Sequence, residues 1–562
     1  MSDDSGLKDI NEDASFTRGK KRKMFVDLHR VRTLLANIIL CALALFQVGC
    51  LVGPDFKTPG APIATKWLGA DGMSQHGQRN ELHQWWVFYN DPVLTKLIEL
   101  AYAQNLSLLS AGTRVLQARA FLGIASNELY PQSQYGSGFI KNDRLSQAIP
   151  LGAGGTANLG NYWLDALATQ ATWELDIWGK IRRGIEYADA SYLESIATYD
   201  DVLVSLLGDV ATTYIDIRVL ERRIQIAEAN IIRQRDVVRI ARERNQGGVA
   251  TQLDVHQAQN ILSNTEASVP RLQIELNKGL NALRVLLGMA PEPLGFLLAR
   301  STARIPLQKS KLMIGIPADL LRRRPDIRAA ELRAEAQSAR IGVAFAEILP
   351  AISIVGSFGG IASDTNGHYL GQVVHPIGQA LSVGPSFKWN ILTYGRIISD
   401  VRLQDAKLQQ NLIDYQNAVL KAQQEVENGI YTTRLSQSEA AYLKTSVEEA
   451  KKAITIGLLE YNEGTRDFTT VLNTEQYLYN SENSYAVALG NISKGSVAIY
   501  RALGGGWQIR DGKGFVNAAT AREMRARTNW GDVLPPNDQP MPDDPGLPGP
   551  ENIGPLLRLP EW

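Results

Sequence analysis

The chain repeats one pattern at an offset of 216 residues, and this repeat limits its possible folds more than any other feature. Three glycine landmarks recur in the same order, as the pairs Gly179 and Gly395, Gly248 and Gly464, and Gly288 and Gly504. Similar Trp-containing segments precede the first pair, and long helical patterns surround the other two. We therefore predict two copies of one structural unit, residues 91–290 and residues 326–505.

Each copy begins with a predicted helix, over residues 91–129 in the first and 326–348 in the second. Asp91-Pro92 opens the first helix as an N-cap followed by a first-turn proline. Pro131 and Pro350 end the two helices, because proline cannot continue the helical hydrogen bonding.

Two strands follow in each copy, predicted at 130–140 and 164–175, then at 350–359 and 380–391. Apolar residues alternate with polar ones in the last strand, at Leu381, Val383, Pro385, Phe387 and Trp389. Each run has about ten residues, the length of a tilted strand that crosses a membrane. A soluble sandwich strand with one buried face would show the same alternation, and the export signal described below favours the membrane.

Very long helices come next, since residues 187–245 and 398–463 contain no proline. Sixty helical residues span about 90 Å. Apolar residues of the first helix recur every seven positions, at Leu203, Val210, Ile217, Ile224, Ile231 and Val238. This repeat predicts a left-handed supercoil with a partner helix. Each long helix is predicted to end in a turn, near residue 248 in the first copy and near residue 464 in the second, and a second helix returns from it. The returning helix of the first copy is predicted to kink at Pro270.

The first 49 residues are typical of an export signal. Basic residues precede an apolar run over residues 34–46, which is too short to span a bilayer and ends at Gly49-Cys50. We predict a signal peptide over residues 1–49 and a lipid-acylated Cys50 at the mature N-terminus. Gln47 fits the lipoprotein pattern imperfectly, so an ordinary anchor with a chance cysteine is the alternative. Translation starts at Met1 or at Met24.

Composition argues against several classes of function. The 58 basic and 58 acidic side chains cancel, which gives no reason to expect a nucleic-acid partner. Six histidines and two cysteines leave little material for a metal site. Motifs of zinc proteases, phosphate-binding loops and serine hydrolases are missing from the sequence, so we do not predict an enzyme. The basic run 322–324 is interpreted as a solvated or salt-bridged helix start.

Four strands per chain are too few to close a membrane barrel, since the smallest have about eight. Open strand edges in lipid would leave backbone groups unpaired. Several copies must therefore share one barrel, and three copies would supply twelve strands.

A set of ordered motifs spans most of residues 50–507. The motifs are Cys50-x-Val52-Gly53-Pro54-Asp55-Phe56, Trp85-Trp86 before Asp91-Pro92, Trp173-Glu174-Leu175-Asp176, Arg323-Arg324-Pro325-Asp326-Ile327, and Ala502-Leu503-Gly504-Gly505-Gly506-Trp507. In this set the chain resembles the outer-membrane factor lipoproteins of tripartite efflux pumps, the TolC/OprM/NodT-like family.

That resemblance implies an α+β membrane protein with two internal repeats. Three chains would form a 12-stranded β-barrel, continued by a long α-helical coiled-coil barrel in the periplasm. It implies a passive exit duct for drugs and other small molecules, lipid-anchored in the outer membrane. Its implied partners are a periplasmic adaptor, an inner-membrane pump of the resistance-nodulation-division class and outer-membrane lipid. No cofactor is implied beyond the diacylglycerol and N-acyl lipid on Cys50.

Three segments outside the repeats are assigned to an equatorial belt. They are the lipidated N-terminal segment 50–90, the linker 291–325 and the C-terminal segment 506–562. Residues 533–562 of the last segment are rich in proline and predicted to be disordered.

The two hairpin tips are the implied periplasmic gate and adaptor contact. The candidate residues are Gly248, Leu253 and Asp254 in the first tip, and Tyr461, Gly464, Asp467, Phe468, Thr469, Asn473 and Glu475 in the second. The family often places aspartate at the position of Asn473 and a large apolar residue at that of Thr469, so charge would come from Asp254, Asp467 or Glu475. Ordinary exposed tip residues are the alternative, and Tyr461 and Phe468 could form a constriction or pack helices together.

Two other functions remain open from the sequence. One is the exit duct of a type I protein secretion system, which the lipid anchor disfavours weakly. The other is a structural periplasmic lipoprotein without a channel, which would not need two alternating strand pairs.

Overall fold

The structure is a computed structural model of the chain. It describes residues 51–69, 82–144, 161–298, 304–308, 323–364 and 369–534. The predicted signal peptide, Cys50 and the tail beyond residue 534 lie outside the described residues. The chain divides into two compact units, one of residues 1–55, 127–185 and 338–404, the other of residues 56–126, 186–337 and 405–562.

The first unit contains a four-stranded antiparallel sheet in the order β1-β2-β3-β4. The strands are β1 (Ser133–Arg144), β2 (Asn161–Leu175), β3 (Ala351–Ser363) and β4 (Gln379–Lys388). The predicted bounds were wrong by several residues. Strands β1, β2 and β3 run further toward their loops, because ladder pairing continues to Arg144 and Asn161. Strand β4 ends at Lys388, where its pairing with Ala351 ends.

Helices make up most of the remaining described chain. They are α1 (Pro92–Gln104), α2 (Leu106–Asn127), α3 (Lys180–Gln246), α4 (Gln252–Leu286), α5 (Gly295–Leu298), α6 (Pro325–Ala346), α7 (Tyr394–Asn462), α8 (Phe468–Ala502) and α9 (Ala518–Arg527). Helices α3 and α7 have 67 and 69 residues, as the absence of proline predicted. Pro270 lies inside α4, which continues through it.

The predicted helix over residues 91–129 is broken at Asn105. This residue has extended backbone angles, and its carboxamide oxygen accepts a hydrogen bond from the Leu108 amide at 2.8 Å. Its Nδ2 donates to the Leu286 carbonyl at 2.8 Å, which satisfies an acceptor at the end of α4. Asparagine is favoured just before a helix because its side-chain oxygen accepts such a hydrogen bond from a first-turn amide, and Asn105 caps α2 in this way.

The seven-residue series of α3 is mainly buried in the second unit. Leu203, Val210 and Ile217 are fully buried, and Ile231 and Val238 follow with under a tenth of their surface exposed. Further along this helix the buried hydrophobic residues continue to Ala241. The spacing read from the sequence therefore identifies the packed side of α3.

The first described residues, 51–69, follow the predicted lipidation site Cys50 and pack against the rest of the chain. In the first unit, the Val52 amide donates to the Trp178 carbonyl at 3.2 Å, and Arg183 binds the Asp55 carboxylate at 2.8 Å. In the second unit, Trp67 is buried against Val426 and Ile499. Residues on both sides of position 55 are thus fixed by contacts within their own units.

Arg324 confirms the salt-bridged interpretation of the basic run at the start of α6. Its guanidinium is buried, contacts carboxylate oxygens of Asp326 and Glu425 at 2.8 Å each, and donates to the Ala502 carbonyl at 2.6 Å. A buried arginine with these partners is stable because every contact is hydrogen-bonded.

Candidate functional site: the amphipathic sheet and the hairpin tips

The strand register places the alternating apolar residues predicted from the sequence on one face of the sheet. Directly opposed residues of an antiparallel pair project to the same side. Thr169 opposes Phe358, and Phe358 opposes Leu381. The same alternation gives the apolar face these members: Ile140, Leu167, Trp173, Leu175, Ile352, Ile354, Phe358, Leu381, Val383 and Phe387. The sequence-predicted alternating residues of β2, β3 and β4 therefore lie together.

Among the described residues, most of this apolar face is uncovered. Leu381, Val383 and Phe387 expose 73%, 68% and 75% of their surface. A contiguous apolar patch of this extent marks a membrane or protein contact. Asp165 also lies on this face, but it is buried and accepts a hydrogen bond from the Gly371 amide at 3.1 Å.

The opposite face holds more small and polar residues, although Phe139, Leu164, Val355 and Ile361 also lie on it. Its polar members are Ser133, Ser137, Lys141, Gln170, Thr172, Glu174, Ser353, Ser357, Ser382, Ser386 and Lys388. The Tyr135 hydroxyl donates to Oε1 of Gln170 at 2.5 Å along this face. One sheet thus separates a surface suited to lipid from a surface suited to water.

The described sheet has two open edges. β1 pairs only with β2, and β4 pairs only with β3, among the strands that the structure describes. Edges of 12 and 10 residues leave rows of backbone donors and acceptors available for pairing. In a membrane such edges must be paired, because lipid offers no hydrogen bonds.

Tryptophans fix one end of the sheet. The Trp173 indole donates to the Leu129 carbonyl at 3.0 Å, and the Trp389 indole donates to the Ile348 carbonyl at 3.0 Å. The two tryptophans are 216 residues apart and their acceptors are 219 apart, so the contact recurs in both copies of the repeat. Tryptophan favours membrane–water interfaces, where its ring contacts lipid and its N–H is hydrogen-bonded.

Gly248 and Gly464 end the two long helices in the same way. Both have positive φ angles, +71° and +78°. The Gly248 amide donates to the Asn245 carbonyl, and the Gly464 amide donates to the Tyr461 carbonyl, each at 3.0 Å. In each hairpin the next amide donates back to the last helical turn, which satisfies the free carbonyls. Glycine is required here because a Cβ atom disfavours this backbone conformation.

The two aspartates of the tips act as caps for the returning helices. Asp254 forms a capping box with Thr251 at the start of α4. Oδ1 of Asp467 accepts from the Thr470 amide at 3.2 Å and from its hydroxyl at 2.8 Å. Their carboxylates therefore stabilise helix starts, a role that the charge pattern alone did not identify.

Tyr461 and Phe468 are buried against each other, with ring centroids 5.2 Å apart. The Arg244 guanidinium lies 4.7 Å from the centroid of the Tyr461 ring, and its Nη1 donates to the Asn462 carbonyl at 2.7 Å. Within one chain, Tyr461 and Phe468 therefore pack helices together, which is one of the two roles considered for them from the sequence. They belong to a hydrophobic cluster, here called the tip cluster, formed by Ile231, Val237, Val238, Ala241, Ala258, Leu262, Ile454, Tyr461, Phe468, Val471 and Leu478.

Other candidate residues of the tips are at the surface. Thr469 and Asn473 are exposed and lie one helical turn apart on α8. Val249 and Leu253 expose 66% and 62% of their surface at the first tip. The tips therefore present a polar surface on α8 and an apolar one beside Gly248.

Glu475 differs from the other candidate residues because it is buried. Its exposed fraction is 2%, and neither carboxylate oxygen has a hydrogen-bond partner. Burial raises its pKa, the nearby Glu482 raises it further, and Arg233 acts in the opposite direction. The signal that could have found it is the three-four spacing of Phe468, Val471, Glu475 and Leu478, which places this glutamate on the apolar side of α8.

Two other kinds of feature do not occur within the described ranges. No helix there combines the length and apolar character needed to cross a membrane. No group of three or more His, Cys, Asp or Glu side chains is arranged to hold a metal ion in the part of the chain that the structure describes.

Known proteins are similar to this chain in sequence and in fold. Residues 97–289 and 316–505 match the family described as outer membrane efflux protein. Nodulation protein T of Rhizobium leguminosarum bv. viciae is 29% identical over 475 residues, covering 84% of this chain and 94% of that protein. Pyoverdine export outer membrane protein OpmQ of Pseudomonas putida is 29% identical over 487 residues, covering 85% and 98%.

Solved structures agree with the sequence matches. The outer-membrane channel OprN superposes with a TM-score of 0.75 and 33% identity, covering 82% of this chain and all of that one. The Campylobacter jejuni CmeC outer membrane channel has the same fold, with a TM-score of 0.73 at 20% identity.

Proposed function

The chain belongs to the outer membrane efflux protein family, and we infer that it is the outer-membrane channel component of a tripartite efflux pump, with three copies enclosing one duct. The observation that carries this proposal is the amphipathic sheet with two open edges. Its apolar face suits lipid and its polar face suits an aqueous interior.

Three copies of the sheet give a closed barrel of twelve strands. Closure pairs β1 of one copy with β4 of the next, so no strand edge remains in lipid. An even number of strands with an apolar exterior and a polar interior is the general pattern of outer-membrane barrels. The length of the strands, ten to fifteen residues, is sufficient to cross the bilayer.

Helix α7 supports contacts between copies. Exposed apolar residues occur on it at seven-residue multiples, in the pair Ile413 and Leu420 and in the series Leu435, Tyr442 and Ile456. In the described part of the chain each of these side chains exposes at least half of its surface, and a repeat of seven is the spacing that packs one helix against another. We propose that they meet a neighbouring copy in a helical barrel.

The helical hairpins extend into the periplasm and meet a periplasmic adaptor at their tips. The exposed Val249 and Leu253 are apolar contact points for an adaptor helix. An inner-membrane pump of the resistance-nodulation-division class supplies energy, so this chain needs no catalytic centre. The acylated Cys50 adds a lipid anchor beside the barrel.

Small molecules are the proposed cargo. OpmQ is named for pyoverdine export, and relatives from Pseudomonas putida are named as solvent and toluene efflux proteins. A passive duct with a polar inner face admits what the pump delivers rather than selecting it.

Conductance of the purified protein in a planar bilayer tests this proposal. We expect discrete conductance steps from an oligomer that migrates in SDS gels at three times the chain mass. An inert monomer would contradict the proposal, and a conducting species with another copy number would contradict the trimer alone.

A further inference from the structure

Glu475 lies on the packed side of α8 between two members of the tip cluster. Val471 precedes it by one turn and Leu478 follows it by nearly one turn, and both are buried. The cluster also takes residues from α3, α4 and α7. A carboxyl group therefore lies where the two hairpins of one chain pack against each other.

An ionised carboxylate at this position would be unfavourable. Both oxygens are inaccessible to solvent and lack hydrogen-bond partners. A buried charge without hydrogen bonds costs several kcal/mol, whereas the neutral acid costs much less. The packed tip is thus compatible with the protonated form of Glu475.

The charged groups around Glu475 are arranged to leave it without an ion pair. Arg233 of α3 directs Nη2 to Oδ1 of Asn230 at 2.7 Å and toward Oε2 of Glu482 at 3.4 Å. Lys451 of α7 lies 3.4 Å from the other oxygen of Glu482. Glu482, and not Glu475, therefore receives both cations.

An unused donor lies close to this carboxyl group. Nε of Arg233 is buried and has no hydrogen-bond partner, and Arg233 acts electrostatically on Glu475. The neighbouring Gln234 is also buried, with Oε1 unpaired. Helix α4 contributes the uncharged Ala258 and Leu262 to the cluster. An ionised Glu475 could be satisfied only after Arg233 or water reaches it.

We propose that the proton on Glu475 keeps α3 and α8 packed at the tip, and that its loss to solvent loosens this contact and favours tip opening. The inference rests on the proposed function, in which the tips are the periplasmic end of the duct. Acidic periplasm would favour the packed tip, and neutral to alkaline periplasm would favour the loosened one. The sign follows from burial, since a raised pKa means that the packed state binds the proton more tightly than an open state.

Hydrogen–deuterium exchange of the full-length oligomer in detergent tests the proposal between pH 5 and pH 8.5, after correction for intrinsic exchange rates. Protection of residues 227–246 and 468–482 is expected to fall as pH rises, by up to about tenfold per pH unit while Glu475 titrates. Residues 203–217 of α3 serve as an internal reference.

Two matched variants separate Glu475 from its neighbours. In Glu475→Gln, protection of both segments should stay high and lose its pH dependence, because the side chain is neutral at every pH. Glu482→Gln should keep a pH dependence that is shifted to lower pH, since it leaves Glu475 in place but removes a carboxylate that raises the pKa of Glu475.

Two outcomes would overturn the proposal. They are pH-independent protection in the unmodified chain, or the same pH dependence in Glu475→Gln. Either result would leave the bilayer conductance intact, so it is distinguishable from failure of the proposed function.

Discussion

Phe358 and Leu381 are directly opposed on β3 and β4, and both project from the apolar face with 52% and 73% of their surface exposed. Side chains of this size are seldom left uncovered in adjacent positions on a folded sheet. Their pairing places the apolar series of two strands in register. The proposed lipid contact and the proposed duct interior follow from that register, because the serine residues of β3 and β4 lie on the other face.

A charge on either face of β4 should have opposite consequences. Val383→Arg adds a charge to the apolar face, which costs about 2–4 kcal/mol at the bilayer midplane. We expect less of the assembled oligomer in outer-membrane fractions, measured by immunoblot. Ser382→Arg, one position away on the polar face, should assemble normally and shift the reversal potential in bilayers toward anion preference. Equal assembly of both variants would contradict the assignment of faces.

Gly464→Ala should loosen the second tip. Its φ of +78° is unfavourable for alanine by about 1–2 kcal/mol, although nothing closer than Arg244 Nη2 at 3.7 Å blocks a Cβ. Local hydrogen exchange around residue 464 should rise by about five- to thirtyfold. Gly457→Ala is the control, because this glycine is inside α7 and its Cβ would meet only ordinary contact. That variant should be neutral or slightly stabilising.

Phe468→Ala should destabilise the tip cluster strongly. The ring is buried and contacts Tyr461, and removal of such a side chain costs about 3–5 kcal/mol. The thermal midpoint of the helical circular dichroism signal should fall. Tyr477→Ala, at a position with 65% of its surface exposed, should change it little. Similar shifts in both variants would show that the cluster does not stabilise the hairpins.

Asp201 predicts a pH dependence of stability in the second unit. Burial raises the pKa of its carboxyl to about 6, and the carboxylates of Asp326 and Glu425 raise it too, whereas Arg324 and Arg501 lower it. A pKa raised on folding gives stability that is present at acidic pH and is lost as pH rises through about 6.

Replacement of Asp201 tests that dependence. Asp201→Asn should stabilise the protein at pH 8 by about 1–2 kcal/mol and should have a smaller effect at pH 4.5, which lies between the unfolded and folded pKa values of the carboxyl. Thermal unfolding at the two pH values measures the difference. A larger stabilisation at the acidic pH would reverse the sign and contradict the assignment.

Local signals in the sequence were sufficient for the long elements. Proline-free stretches gave α3 and α7, and glycines 216 residues apart gave both hairpin turns. Alternation in β4 identified the apolar face, because a strand shows its two faces directly in its sequence. These features depend on neighbours along the chain.

Features that depend on distant residues were not predicted. Asn105 interrupts a helical pattern because its side chain also binds the Leu286 carbonyl, 181 residues away. Glu475 is a charged residue, a type that is usually exposed. It is buried because both hairpins pack around it. The strands end where their hydrogen-bonded pairing ends and not where the apolar pattern ends. Their bounds therefore depend on the partner strands.

Cysteine scanning along β4 tests the central claim most directly. Single cysteines at positions 380–387, in a chain whose Cys41 and Cys50 lie outside the barrel segment, would be labelled in intact outer membranes with a membrane-impermeant maleimide. Positions 382, 384 and 386 should react, and positions 381, 383 and 387 should be protected by lipid, which gives a period of two. Uniform reactivity along the strand, or protection of the serine positions instead, would contradict a sheet with lipid on one face and a water-filled duct on the other.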